Sequence, residues 1–267
     1  MVRIAVAGAA GRMGVRLIHT IASQDKAELA GAFEAPGNPT VGRSVAEVTG
    51  LPGAPGAIGD DVAQALTEAE VLIDFTAPAA TLKHLAAAAA AGKAMVIGTT
   101  GIDAAQQEEI KRHAANIPVV YAPNMSVGMN LMFKLVGMIA EILGEGYALE
   151  LVEAHHDQKK DAPSGTAVKL LAELAAARGW DVDEILQHGR QGMVGARPQD
   201  EIGVSVIRGG DIVGDHTVYF IGQGERLELT HRAHSRDTFA QGAVRAALWV
   251  AGKKPGLYDM QDVLGLK

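Results

Sequence analysis

The chain contains no cysteine in its 267 residues. That removes disulfides, thiolate catalysis and cysteine-ligated zinc together, and agrees with a reducing compartment. Aromatic residues are scarce, at 4%, so the cores must be built from Ala, Val, Leu, Ile and Met. Positive charge is in deficit. There are 24 Lys and Arg against 31 Asp and Glu, a net charge of −7. No Lys/Arg cluster or basic stripe stands out, which argues against a nucleic-acid partner. No uninterrupted apolar run reaches the roughly 20 residues that span a bilayer. The N-terminus opens on a strand, with no basic segment and apolar leader before it. The expected setting is therefore cytoplasmic, with no membrane partner. What remains is an ordinary globular composition, 48% hydrophobic and 21% charged, long enough for one large or two modest domains.

Against this background one stretch concentrates chemistry: Glu153-Ala154-His155-His156-Asp157-Gln158-Lys159-Lys160-Asp161-Ala162-Pro163-Ser164-Gly165-Thr166-Ala167. The apolar run Tyr147 to Val152 before it predicts a strand. Val168 to Ala177 after it, rich in Ala, Leu, Lys and Glu, predicts a helix. Two histidines, two lysines and two aspartates are thus expected on one strand-to-helix connection. Pro163 stiffens the chain before the helix, and Ser164 is a good N-cap. Two hydroxyls and a small glycine at a helix start suit a carboxylate or phosphate, because the first N–H groups of a helix lack partners. A lysine and an imidazole nearby add positive charge and a transferable proton. The stretch predicts an anion-binding pocket with an acid/base group at its wall. Plain readings compete with this: a His-His pair as exposed polar surface, and Ser-Gly-Thr as a cap and nothing more. No metal is expected. Adjacent residues on an extended chain point opposite ways, and neither cysteines nor an HExxH spacing is present.

The N-terminal half alternates strands and helices. Val2 to Ala7 is a short apolar run of the kind buried on both faces of a parallel sheet. It enters Gly8-Ala9-Ala10-Gly11-Arg12-Met13-Gly14, then a helix from about Met13 to Ser23. Strand, glycine turn and helix are the context in which glycines let the backbone approach a pyrophosphate at a helix N-terminus. The spacing is GxxGxxG rather than GxGxxG. Glu28 to Phe33 predicts the second strand, ending at Glu34, twenty positions after Gly14. A ribose-binding acid is expected there, accepting from the 2′-hydroxyl and repelling a 2′-phosphate. Strands follow at Val71–Phe75, Ala94–Ile97 and Pro118–Tyr121, with helices at about 79–91 and 103–114 between them. The strand ends carry Thr76-Ala77-Pro78, Gly98-Thr99-Thr100-Gly101 and Ala122-Pro123-Asn124-Met125. In an open parallel sheet such ends line the ligand crevice. Gly98, Thr99 and Thr100 are suited to the nicotinamide side by backbone and hydroxyl.

Ser126 is expected to cap a long helix at about 127–143 whose Met residues are core packing. The pattern then changes. Loops are expected from about 179 to 200. Ile202–Arg208, Ile212–Ile221 and Arg226–Arg232 predict strands, separated by the hairpin signals Gly209-Gly210-Asp211 and Gly222-Gln223-Gly224-Glu225. This predicts a second, α+β domain with an open mixed sheet. One face of that sheet would be covered by a copy of itself in a symmetric oligomer. A last helix is expected at Arg236 to Val250.

The 153–167 stretch strongly resembles the signature of the dihydrodipicolinate reductase family, Glu-x-His-His-x-x-Lys-x-Asp-Ala-Pro-Ser-Gly-Thr, with every specified position present. The glycine turn, Gly98 to Gly101 and Gly209 to His216 extend the resemblance over nearly the whole chain. It implies a Rossmann-type dinucleotide-binding domain at 1–126 and 236–267. The inserted substrate-binding and oligomerisation domain would be 127–235, in a homotetramer. It implies NADH- or NADPH-dependent reduction of 4-hydroxy-tetrahydrodipicolinate, a small dicarboxylate, to tetrahydrodipicolinate with loss of water, in lysine and diaminopimelate biosynthesis. By that resemblance His155 is the general acid/base and Lys159 a second proton donor. His156, Ser164, Gly165 and Thr166 would bind substrate. Gly8, Ala9, Ala10, Gly11, Arg12, Met13, Glu34, Gly98, Thr99, Thr100, Ala122, Pro123, Asn124 and Met125 would bind the cofactor. Some members carry a basic residue after the ribose-binding acid; here it is Ala35, which favours NADH. Two other classes remain as competitors: a different two-domain dehydrogenase acting on a semialdehyde or sugar, and a non-catalytic nucleotide-binding protein. The first would lack the complete signature. The second would tolerate replacement of His155 and Lys159.

Overall fold

The computed structural model describes all residues, 1–267. It divides into two compact units, Met1–Val127 with Arg236–Lys267, and Gly128–Ser235.

The first unit is a six-stranded parallel sheet. In chain order its strands are β1 (Val2–Ala7), β2 (Ala27–Phe33), β3 (Val71–Asp74), β4 (Ala94–Ile97) and β5 (Pro118–Tyr121), with β11 (Gly256–Tyr258) added from the tail. Their order across the sheet is β11-β5-β4-β3-β1-β2. The chain runs outward from β1 to β2, then crosses to β3 on the other side, so the strand order reverses beside β1. That reversal opens a crevice beyond the strand ends. All four residues of β3 and of β4 are buried, as expected when helices cover both faces. The principal helices are α1 (Arg12–Ala22), α4 (Pro78–Ala90), α5 (Ala104–Ala114) and α9 (Asp237–Val250). Short α2 (Val45–Thr49) and α3 (Val62–Ala65) lie between β2 and β3, and α10 (Met260–Leu264) closes the chain. Ser44, Asp61 and Asp103 cap α2, α3 and α5 through their side chains, each such cap contributing about 1 kcal/mol. α9 approaches the fifth strand's loop so closely that a Cβ on Gly242 would stand 1.7 Å from the Met125 carbonyl oxygen.

The second unit is a five-stranded mixed sheet of order β10-β9-β6-β8-β7. Its strands are β6 (Ala148–His155), β7 (Leu186–His188), β8 (Ile202–Arg208), β9 (Gly214–Ile221) and β10 (Arg226–Ala233). Helices α6 (Val127–Leu143) and α7 (Gly165–Arg178) bury one face of it, with Met132, Phe133, Val136, Leu170, Leu171 and Leu174 packed on Leu149, Leu151, Val204, Val218 and Phe220. A short α8 (Val182–Ile185) precedes β7. The stretch Val127–Gly146 is long and apolar enough by composition to cross a membrane, although no such length was evident from uninterrupted apolar runs. The alternative use of those residues is visible in the core they build.

Three expectations need correction here. β6 does not end at Val152 but continues to His155, so Glu153 and His155 are strand residues. The 179–200 region is not all loop, since it contains α8 and β7. Gly209-Gly210-Asp211 is not a hairpin turn. β8 pairs in parallel with β6, and β9 pairs antiparallel with the other edge of β6. The segment between them therefore passes over the end of β6. Gly209 N donates to the His155 carbonyl, and His156 N to the Ile212 carbonyl, at 3.0 and 2.8 Å. Only Gly222–Glu225 makes a true hairpin, joining β9 to β10.

Replacing Gly242 by Ala should lower the unfolding free energy by about 1–3 kcal/mol, the usual effect of overpacking. Thermal denaturation of the two chains measures this, and an unchanged midpoint would mean that α9 yields freely at this contact.

Candidate active site

In the first unit the glycine turn lies at the end of β1. Gly8 has a positive φ of 65°. A Cβ on Gly14 would stand 2.1 Å from the Gly8 carbonyl oxygen, so glycine is required where α1 starts against the turn. Gly11 caps α1 without any side-chain hydrogen bond, and no acid occupies the first turn. That leaves a positive helix end suited to an anion. Glu34 follows β2 and ties itself to the turn: its Oε1 accepts from Ala10 N at 2.9 Å and its Oε2 from Asn38 Nδ2 at 3.1 Å. Gly8, Glu34 and Ala35 line a cavity of about 560 Å³ together with Phe33, Lys83 and His84, within the size range of small-ligand sites.

The strand-end loops are held from beneath by Asp74, a wholly buried residue at the end of β3. Its Oδ1 accepts from Thr76 N (2.8 Å), Thr76 Oγ1 (2.7 Å), Thr81 Oγ1 (3.0 Å) and Thr99 Oγ1 (3.2 Å). Its Oδ2 lies 2.6 Å from His84 Nδ1. Burial alone would raise the carboxyl's pKa, but the hydrogen bonds from His84 and Thr76 outweigh it and hold it below the ordinary range. His84 stands edge-on to Phe33 with ring centroids 5.0 Å apart. The Thr99 hydroxyl is therefore turned inward, while Thr100 is exposed. Gly98 has no room for a side chain, because a Cβ would sit 2.2 Å from the Phe75 ring. Ala122 N donates to the Ile97 carbonyl at 3.2 Å, and Asn124 Oδ1 accepts from Ser126 N at 2.9 Å. The Met125 side chain is core, 1% exposed. Arg12 and Met13 open α1, Arg12 exposed and Met13 half-buried. Asp74, Lys83 and His84 were not found from the sequence. The only trace was an aspartate closing an apolar strand.

In the second unit Glu153 and His155 are two apart on β6 and so share a face. Glu153 has no exposed surface. Its Oε2 lies 2.7 Å from His155 Nδ1, and its Oε1 accepts from Ser164 N at 2.9 Å. Arg208, the last residue of β8, grips both oxygens through two nitrogens at 2.7 and 2.8 Å. Burial pushes the carboxyl upward, but Arg208, His155 and Ser164 together bring it down to about 2. Burial holds His155 below its usual range despite Glu153. His216, on β9, stands edge-on to His155 at 5.2 Å between centroids. Its Nε2 is 3.1 Å from Ser164 Oγ, and burial first, then the His155 charge, push its pKa down to about 3. Ser164 Oγ also accepts from Ala167 N, capping α7. Gly165 and Thr166 form the first turn of α7, and a Cβ on Gly165 would meet nothing within 4 Å. Lys159 Nζ pairs with Asp161 at 2.8 Å, and Arg208 reaches the Asp161 carbonyl at 2.8 Å. His155, Ser164 and Arg208 are thus gathered around one buried carboxylate, with His216 against Ser164 and His155, and Lys159 joined through Asp161 to Arg208. His156 is half-buried beside them in the chain. Arg208 and His216 were missed because their strands join β6 only in three dimensions.

A Rossmann-type sheet with its glycine turn, joined to an α+β unit carrying a buried Glu–His pair, defines a two-unit dinucleotide-dependent oxidoreductase. Residues 2–125 match the N-terminal region of dihydrodipicolinate reductase and residues 128–264 its C-terminal region. The 4-hydroxy-tetrahydrodipicolinate reductase of Citrifermentans bemidjiense is 52% identical over 267 residues, all of both chains. That of Syntrophobacter fumaroxidans is 52% identical over 269 residues, again covering both in full. Among solved structures, dipicolinate-bound dihydrodipicolinate reductase from Paenisporosarcina sp. TG-14 matches with a TM-score of 0.75 and 24% identity, over 98% of each chain. The WlbA dehydrogenase structure with NADH and UDP-GlcNAcA matches with a TM-score of 0.59 at 11% identity, over 98% of this chain and 90% of that one. The chain belongs to the dihydrodipicolinate reductase family.

The Glu153 carboxyl has its folded pKa near 2, below the ordinary 4.5. Its stabilisation is therefore complete above about pH 4.5 and is lost as pH falls through about 2. The urea midpoint should drop between pH 6 and pH 3, and drop less in Glu153→Gln. Equal drops in both chains would show that this carboxylate does not drive the acid sensitivity.

Proposed function

We propose that the chain reduces 4-hydroxy-tetrahydrodipicolinate to tetrahydrodipicolinate with loss of water, at the expense of NADH or NADPH, in lysine and diaminopimelate biosynthesis. The observation that carries this reading is the full-length relationship to named reductases. The unbroken 153–167 signature, folded around Glu153, adds to it. Bound NAD(P)H supplies the hydride. The residues at hand fit such a cofactor: a bare glycine turn at a helix N-terminus, and a cavity bordered by an acid where the ribose hydroxyls would lie. Gly8 to Met13 would hold the pyrophosphate, and Gly98 to Thr100 with Ala122 to Met125 the nicotinamide side.

Hydride addition to a conjugated imine leaves an electron-rich nitrogen–carbon system that must take up a proton. His155 is the group we assign to that transfer, with Lys159 as a second donor. His156, Ser164, Gly165 and Thr166 would receive a substrate carboxylate at the start of α7, where helix N–H groups and the positive dipole end favour an anion. The dicarboxylate in the solved relative's name supports that substrate class. Cofactor preference follows from Glu34 and Ala35. An acid without a following base disfavours a 2′-phosphate, so NADH is preferred. Ile207 and Ile221 are 51% and 39% exposed on the sheet face away from α6 and α7. They support a symmetric tetramer through that face.

The direct test is nicotinamide absorbance with freshly condensed pyruvate and aspartate semialdehyde. Turnover is expected with both cofactors and no turnover with either would reject the reading. His155→Ala and Lys159→Ala should each lower kcat by about 10²–10⁴-fold, the range of general acid–base catalysis, with cofactor affinity retained. Equal losses in turnover and affinity would instead mean a structural role. Ala35→Arg should raise kcat/KM for NADPH about tenfold, the equivalent of one charge-assisted contact. An unchanged NADPH/NADH ratio would remove position 35 as the determinant.

A further inference from the structure

Glu153 holds none of the roles assigned above, yet it is fully buried and both its oxygens are engaged, by His155, Ser164 and Arg208. An ionised carboxylate can only accept hydrogen bonds. With Glu153 Oε2 at 2.7 Å from His155 Nδ1, the ring must carry a proton on Nδ1. A neutral imidazole so held presents a bare Nε2. The carboxylate itself has one placement. Arg208 holds both oxygens, and Ser164 N holds Oε1. Arg208 reaches there because β8 pairs in parallel with β6, bringing His155 and Arg208 into register. On the other edge of β6, Gly214 opens β9, and a Cβ there would stand 3.0 Å from His155 Nε2. The backbone is therefore bare beside that nitrogen.

We propose that Glu153, clamped by Arg208, is a positioning residue that locks the His155 tautomer, so that Nε2 alone exchanges the proton with substrate. This rests on the assignment of His155 as the acid/base group. In the reductive step the Nε2–H bond of the imidazolium breaks as the substrate's new bond to hydrogen forms. The N–H electron pair stays on nitrogen. The product imidazole is neutral with its proton on Nδ1, and Nε2 is reprotonated from solvent before the next turnover. No proton passes to Glu153.

Several titratable groups bear on His155. Glu153 lies on its own strand, Arg208 on β8, the neutral ring of His216 on β9, and Lys159 with its partner Asp161 on the loop. Arg208 compensates the carboxylate, so Glu153 orients the ring without greatly raising its proton affinity. Removing only the anion should move the ring's titration to lower pH. It should also free the opposite tautomer, since a glutamine amide can donate to Nδ1.

The test is a double-mutant cycle read by kinetics and by ¹⁵N NMR of the histidines. In the full-length protein, Glu153→Gln should lower kcat by about 10²-fold, the lower end of a general acid–base contribution. KM should stay within about threefold, less than one hydrogen bond's worth. The pH limb of kcat/KM assigned to His155 should shift downward, and the NMR signature should lose its pure Nδ1–H form. Glu153→Asp should recover part of the turnover. In a His155→Gln background, Glu153→Gln should have no further effect on kcat. If the single variant does not fold, Glu153→Gln with Arg208→Met restores a neutral pair and carries the same expectations for kcat, KM and the tautomer, with a smaller shift of the pH limb because the opposing guanidinium charge is removed too. An unchanged tautomer, or an equal loss of kcat in both backgrounds, overturns the proposal while leaving His155 as the acid/base group. Wild-type kcat in His155→Gln overturns that assignment itself, and is a separate outcome.

Discussion

The second unit depends on an ionised carboxylate kept out of water. Glu153 ends up there because β6 runs three residues further than its apolar stretch, and a strand interior offers no solvent to a carboxylate at that depth. Three neighbouring elements answer to it. β8 supplies Arg208, the start of α7 supplies the Ser164 amide, and β6 itself supplies the His155 ring. Ser164 passes the constraint on through its hydroxyl, which caps α7 and meets His216. One charge thereby fixes the strand end, the helix start and the imidazole together.

The first unit repeats the device with a different residue. Asp74 terminates β3 with no exposed surface and gathers Thr76, Thr81, Thr99 and His84. Those residues belong to the loop after β3, to α4, and to the loop after β4. A parallel sheet delivers its functional loops at strand ends, where regular hydrogen bonding stops. Buried acids at those ends replace the missing ladder and hold the loops in one arrangement. Asp74 does this for the loops proposed to meet the cofactor, and Glu153 for the groups proposed to meet the substrate.

Much of this was legible in the sequence, and the failures have physical causes. Glycine turns, helix caps and apolar runs are local, so the β-α alternation of the first unit and the cap at Ser164 could be read directly. Strand β6 was cut short because an apolar-run criterion stops at Glu153, although the Glu-x-His alternation already placed both side chains on one face. The Gly209–Asp211 turn was misread because its sequence specifies a reversal but not the partner. The strands it joins flank β6 rather than each other. Arg208 and His216 were invisible for the same reason: each acquires its role from a residue distant in sequence, and no local pattern records that pairing. Asp74 and His84 are only ten residues apart, but they meet across a strand-to-helix connection whose geometry no single helix or strand period records. Thr99 illustrates the converse. Its place in a Gly-Thr-Thr loop suggested a hydroxyl facing ligand, whereas Asp74 and Thr81 draw it inward.

Stability alone does not account for the Glu153–Arg208 pair. Desolvating two charges costs several kcal/mol per ion, and a well-packed apolar pair of similar volume is often as stable or more so. The surrounding core is already rich in Leu and Val, and a leucine at 153 would extend it. What a leucine cannot do is accept a proton's hydrogen bond from one chosen ring nitrogen. Arg208 is 20% exposed along its side chain, so its own desolvation is partial, while the carboxylate it neutralises is fully sequestered. The arrangement spares the guanidinium and buries only the group whose direction matters. That asymmetry is expected of a pair retained for orienting an imidazole rather than for adding to the fold's cohesion.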